Sequence, residues 1–289
     1  MNQPYFTGVC TALVTPFFNG QINYPMLQQL LRRQLEAGVQ NIVLAGTTGE
    51  SPTLSDEEKL KLFHIAKEYT QDRCRIIAGT GSNCTDHAVE LSIAAQEEGA
   101  DALLIVTPYY NKATPEGLFS HYLAIAHRVR IPIIMYNVPS RTGVDIPVSV
   151  YQRLSRVPNI VGVKEASADI TKIGKIRAAC GEDFTVWSGN DDLAVPAIAL
   201  GAKGVISVAS NIAPAQMNTM VSAALDGDFD SASDLHCKLL PLFELLFCEV
   251  NPIPVKAAMK KIGYDCGDCR LPLTKLSLEH QKLLEQVLK

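Results

Sequence analysis

Arg75-Ile76-Ile77-Ala78-Gly79-Thr80-Gly81-Ser82-Asn83-Cys84-Thr85-Asp86 begins as a strand and ends as the start of a helix. Its first four residues are apolar after Arg75 and lack the alternation of a half-solvated strand. They suit a strand buried on both faces. Gly79-Thr80-Gly81 starts like a dinucleotide-binding loop, but Cys84 stands where the fingerprint needs its third glycine. Thr85-Asp86 then opens a helix that runs to Glu98 and stops at Gly99.

The same unit recurs on both sides of this stretch. Buried-strand patterns lie at residues 9–14, 41–45, 75–78, 101–106, 132–136, 160–164, 184–187 and 204–208. Helix signals separate them. Ser55-Asp56-Glu57-Glu58 is a capped, acidic first turn. Thr114-Pro115-Glu116 puts proline at the first helical position, and Asp191-Asp192 reads as a further helix start. Eight units over roughly 200 residues give about 25 residues each, enough for strand, loop and helix. Without a Rossmann fingerprint this pattern indicates an α/β fold of the (β/α)₈ TIM barrel type, with a doubly wound sheet as the competing topology. Beyond residue 210 the pattern is helical only, at 214–225, 229–248, 254–262 and 277–288. The expected division is a barrel carrying the active site over 1–225 and a small C-terminal helical domain over 226–289.

Composition narrows the function. With 47% hydrophobic and 19% charged residues in 289, disorder is excluded. A net charge of −4 leaves no basic footprint for nucleic acid. No apolar run reaches membrane-spanning length. The opening Met1-Asn2-Gln3-Pro4-Tyr5 lacks a leader pattern, so the expected location is cytoplasmic. The eight cysteines are expected as free thiols in a reducing compartment. Cys266-Gly267-Asp268-Cys269 has no second ligand pair for zinc, and no metal is expected.

Barrel chemistry sits at the C-terminal strand ends. Lys164 ends the sixth strand after Ile160-Val161-Gly162-Val163. Burial disfavours an ammonium, and a neutral amine can attack a ketone to form a Schiff base; the plainer alternative is a strand-end lysine paired with Glu165 or another carboxylate. Tyr136 ends the neighbouring strand and could relay protons, or be a rim aromatic. Thr47 and Thr48 lie in a glycine-flanked turn able to present N–H groups to a carboxylate, or in an ordinary strand–helix turn. Arg141 offers a bidentate fork for a carboxylate, or is a solvated loop arginine. Tyr109 and Tyr110 are consecutive and cannot both face one way in extended chain, so one would point to the site and one to an interface.

Gly46-Thr47-Thr48-Gly49-Glu50, Tyr136-Asn137-Val138-Pro139-Ser140-Arg141-Thr142-Gly143 and Val163-Lys164-Glu165 together resemble the dihydrodipicolinate synthase (4-hydroxy-tetrahydrodipicolinate synthase) family of pyruvate-dependent class I aldolases. The resemblance runs over essentially the whole chain. It implies condensation of pyruvate with L-aspartate 4-semialdehyde, with Lys164 forming the imine and no metal or organic cofactor. It implies a proton relay of Tyr136, Thr47 and Tyr110, with Tyr110 reaching in from a neighbouring subunit. Thr48 would hold the pyruvate carboxylate, Gly189 and Ile206 would line the pocket with main-chain groups, and Arg141 would hold the second carboxylate. A homotetramer built as a dimer of dimers is implied.

Lyases acting on N-acetylneuraminate or 2-keto-3-deoxy sugar acids share the lysine and tyrosine. Arg141, and Thr rather than Ser at position 47, favour the synthase. A barrel of the same fold serving as a binding or regulatory protein is the reading from another class. Lysine-sensitive relatives bind lysine at a dimer interface that Ser51, Asn83 and Tyr109 match. Asp56, Lys59 and His87 stand where the sensitive pattern carries His, His and Glu. Charge pairing with lysine would be lost or reversed, so weak or absent inhibition is expected.

Overall fold

The computed structural model describes residues 4–288; Met1–Gln3, part of the opening stretch considered above, and Lys289 lie outside the described residues. Eight strands, β1 (Gly8–Ala12), β2 (Asn41–Leu44), β3 (Arg75–Gly79), β4 (Ala102–Val106), β5 (Ile133–Asn137), β6 (Ile160–Glu165), β7 (Thr185–Ser188) and β8 (Gly204–Ser207), form one closed parallel barrel. Each lies within two residues of its expected position. The pairing of Gly8–Thr11 in β1 with Gly204–Ser207 in β8 closes the ring and excludes the doubly wound alternative. The apolar runs are continuous because each strand serves two cores. Cys10, Val43, Ile77, Leu104, Ile134 and Ile206 point into the barrel. Val9, Ile42, Ile76, Leu103, Ile133 and Val163 point outward beneath the helices. Trp187 stacks on Phe6 with ring centroids 4.5 Å apart and donates its indole N–H to the Phe6 carbonyl.

The barrel is ringed by α1 (Tyr24–Glu36), α2 (Asp56–Thr70), α3 (Thr85–Glu97), α4 (Pro115–Ala126), α5 (Val148–Leu154), α6 (Ile170–Cys180), α7 (Ala194–Ala199) and α8 (Pro214–Leu225). Helix α2 starts with a complete capping box between Ser55 and Glu58, which satisfies two otherwise orphaned N–H groups. Thr114 caps α4, with Pro115 in its first turn. The helix expected at Asp191-Asp192 instead begins at Ala194. Asp191 is turned inward, where its carboxylate accepts the N–H groups of Val208 and Ala209 beyond β8. An aspartate committed to another strand end cannot cap its own helix. After α8 come α9 (Phe229–Leu246), α10 (Ile253–Lys261) and α11 (Leu278–Val287). Helix α9 packs on α8, and α10 and α11 pack on α9.

His121 on α4 is buried, with Nδ1 3.0 Å from the Thr85 hydroxyl and Nε2 without a partner. Burial pulls its pKa down to about 4. The unfolded chain takes up that proton near pH 6.5, and the folded chain resists it until about pH 4. The resulting stability is complete above pH 6.5 and is lost as pH falls between these values, about 2 kcal/mol of it by pH 5. Urea denaturation at pH 7.5 and pH 5 should show this loss, and His121→Gln should reduce the difference by that amount.

Candidate active site

Residues in register across two parallel strands share a face. Tyr136 pairs with Lys164 and Asn137 with Glu165 between β5 and β6. This register depends on an irregularity at Ile133/Ile134, which skips Val161 so that Ile134 meets Gly162. Without the extra residue, Lys164 would lie opposite Asn137 and away from Tyr136. Gly162 makes the arrangement possible, since a Cβ there would stand 2.1 Å from the Thr185 carbonyl oxygen.

The pairing of Lys164 with Glu165 is ruled out. Successive strand residues face opposite ways, and Glu165 lies on the outer face. There its carboxylate accepts the Asn137 amide, the Tyr151 hydroxyl at 3.1 Å and the Ser167 N–H at 2.8 Å, with Lys172 at 3.9 Å. Lys164 is 5% exposed and makes no hydrogen bond or ion pair with any described residue. Its Nζ lies 4.3 Å from the centroid of the Tyr136 ring. Gly189, after β7, borders it, because a Cβ on Gly189 would be 3.0 Å from Lys164 Cε. Ile206 on β8 is buried in the same interior cluster as Tyr136. Asp191, also buried, is raised above the usual carboxylate range by burial, against hydrogen bonds and the Lys164 charge, which pull it down.

A cavity of about 590 Å³ opens over the ends of β2 to β5, and Tyr136 stands between it and Lys164, which with Gly189 and Ile206 is not part of its lining. Thr47, Ser51, Tyr109, Tyr136 and Arg141 line it. Thr48 is buried, and its hydroxyl accepts the Asn251 side-chain N–H at 3.0 Å. The Arg141 guanidinium donates to the Asn251 carbonyl at 3.1 Å. Asn83 lies outside the lining; its carbonyl accepts the Asn111 side chain. Tyr110 is not brought to the site of its own chain. It is 89% exposed, on left-handed backbone at φ 73°. Of the two tyrosines, Tyr109 lines the cavity and Tyr110 faces away from it. Asn251 went unnoticed in the sequence. It is 203 residues from Thr48, and its only local signal, an Asn-Pro dipeptide, marks a turn.

The cavity continues to Asp56, Lys59, Ser82 and His87. Asp56 stands 3.3 Å from Lys59 Nζ and 2.7 Å from His87 Nε2, and His87 Nδ1 is 3.1 Å from the Ser82 hydroxyl. Partial burial pushes the Asp56 carboxyl up. The His87 and Lys59 contacts outweigh it and hold the group below the usual carboxylate range. Among the described residues no three His, Cys, Asp or Glu side chains are grouped as a metal ion would need. All eight cysteines are unpaired, and burial pushes the Cys266 and Cys269 thiols up to about 12. Such thiols are poor nucleophiles.

The family model described as the dihydrodipicolinate synthetase family matches residues 5–289. The chain is 47% identical over 289 residues to the 4-hydroxy-tetrahydrodipicolinate synthase of Acetivibrio thermocellus, covering 100% of this chain and 98% of that one. It is 50% identical over 285 residues to the enzyme of the same name from Fervidobacterium nodosum, with 98% of each covered. The crystal structure of dihydrodipicolinate synthase from Aquifex aeolicus superposes with a TM-score of 0.96 at 46% identity, over 98% of this chain and 97% of that one. A likeness of this extent, carried through both sequence and fold, establishes that the chain belongs to the dihydrodipicolinate synthetase family.

Proposed function

We propose that the chain is a lyase that condenses pyruvate with L-aspartate 4-semialdehyde to 4-hydroxy-tetrahydrodipicolinate, a step of lysine and diaminopimelate biosynthesis. The observation that carries the chemistry is a buried, unpaired lysine beside a strand-end tyrosine, in a chain whose relatives bear the synthase name. Lys164 Nζ attacks the pyruvate ketone, water leaves, and an imine forms. Loss of a methyl proton gives the enamine, whose carbon attacks the aldehyde. The substrate amine then closes the ring on the imine carbon and expels Lys164. Each of these steps moves a proton, and Tyr136, Thr47 and a neighbouring subunit's Tyr110 would carry them. Thr48 and the Gly189 and Ile206 main chain hold pyruvate, and Arg141 turns from the Asn251 carbonyl to the second carboxylate.

Steady-state assays should give turnover with aspartate semialdehyde and none with N-acetylneuraminate or 2-keto-3-deoxy sugar acids. The reverse preference would replace this reading with the sugar-acid lyase one. Among the described residues no helix is long and apolar enough to cross a membrane, and we place the enzyme in the cytoplasm. We further propose that residues 1–225 supply the reacting groups while 226–289 brace them, and that the assembly is a tetramer of two tight dimers.

For the cavity's second lobe we infer that lysine finds no home. Lys59 is a cation where an ammonium would need an acceptor, and Asp56 is already shared between Lys59 and His87. Millimolar lysine should leave the steady-state rate nearly unchanged, and potent inhibition would refute this.

A further inference from the structure

The last residue of the Gly46–Glu50 turn has no part in the chemistry proposed above, yet its geometry is costly. Glu50 holds a left-handed backbone at φ 58°, a conformation a non-glycine residue keeps only where its surroundings enforce it. Its backbone N–H donates to the Thr47 carbonyl at 3.1 Å. Its side chain is buried and turned from the cavity toward the C-terminal segment. One carboxylate oxygen accepts Lys256 Nζ at 2.8 Å, and the other accepts the Arg270 N–H at 2.8 Å. Lys256, on α10, is equally buried. It also donates to the Asp268 carbonyl at 3.2 Å and lies over the Phe17 ring. A few residues before it, Asn251 holds the Thr48 hydroxyl.

Desolvation offsets most of the attraction within a buried ion pair, so such a pair is a weak source of stability. What it does provide is a fixed direction. Here it ties Glu50, and through the Glu50 N–H the Thr47 backbone, to a helix some 200 residues away in the chain. We propose that Glu50 and Lys256 are positioning residues through which the C-terminal helices hold the Thr47 and Thr48 hydroxyls in place relative to Tyr136 and Lys164. The proposal rests on the pyruvate-condensation reading. It adds that α10 takes part in the reaction without touching the substrate.

The test is the double variant E50Q/K256M, which removes both charges and leaves neither buried alone. Three readouts are compared with wild type: the denaturation midpoint, the pyruvate adduct trapped by borohydride, and the exchange of pyruvate methyl protons with D₂O. A displaced relay hydroxyl should lower exchange and kcat by about 10²-fold in folded protein while trapping at saturating pyruvate persists. Exchange and kcat within about threefold of wild type would make the pair purely structural and overturn the proposal. Parallel loss of trapping and exchange would also overturn it, since the pair would then be supporting the whole site. If the double variant does not fold, Glu50→Gln alone is measured against the same outcomes. It keeps an acceptor for the Arg270 N–H. Absence of trapping in wild type would instead refute the underlying reading, and the positioning role would fall with it, an outcome distinct from loss confined to the variants.

Discussion

Lys164→Ala should lower turnover by about 10⁴-fold or more, the scale on which enzymes fail when a covalent nucleophile is deleted. It should also abolish a pyruvate adduct that borohydride traps on wild type. The adduct is a secondary amine that adds about 72 Da, the mass of pyruvate less water plus two hydrogens. The expectation rests on geometry. Lys164 is buried at a strand end, its neighbour Glu165 is bound to Asn137, Tyr151 and Ser167 on the opposite face, and no described carboxylate pairs with it. An amine in that setting is available to react. The substitution also separates the two classes of function carried from the sequence. A binding barrel would show no adduct in either protein and would tolerate the alanine with only the loss of a buried side chain. Full trapping on wild type and none on the variant leaves the imine at Lys164 as the remaining account.

The barrel was legible because its strands are buried twice over. A run such as residues 75–78 has no polar face to hide, and eight such runs at regular spacing admit few topologies. Capping signals at Ser55 and Thr114 were equally local and held. Signals that another element can claim were not reliable, and Asp191 is the instance. Its carboxylate serves Val208 and Ala209 across the barrel mouth, so the helix begins three residues later. The site divides the same way. Lys164, Tyr136, Thr47 and Arg141 sit at strand ends, and the fold delivers strand ends to one place. The facing of Lys164 depended on the irregular register near Ile133, which no spacing in the sequence reveals. Asn251 and the Glu50–Lys256 pair depend on contacts across about 200 residues. Periodicity does not report separations of that length.

Tyr110→Phe should lower kcat by about 10²-fold or more, because it keeps the ring and deletes a hydroxyl proposed to move protons. The informative result comes from mixing it with Lys164→Ala. In a twofold dimer each site would combine Lys164 of one chain with Tyr110 of the other, and each mutant dimer alone is impaired at both sites. In a hybrid, the Tyr110→Phe chain supplies Lys164 and the Lys164→Ala chain supplies Tyr110, so one of the two sites is complete. Random association makes half the dimers hybrids, and activity should recover to about a quarter of wild type. If Tyr110 serves its own chain, no hybrid contains a complete site and nothing is recovered. The first outcome is favoured by how Tyr110 is held. A tyrosine 89% exposed on left-handed backbone spends conformational energy to point away from its own cavity, while Tyr109 beside it lines that cavity. An exposed aromatic kept in such a position is suited to completing a neighbour's site, and a chain isolated from its neighbour would then fold, form the imine and stall at proton transfer.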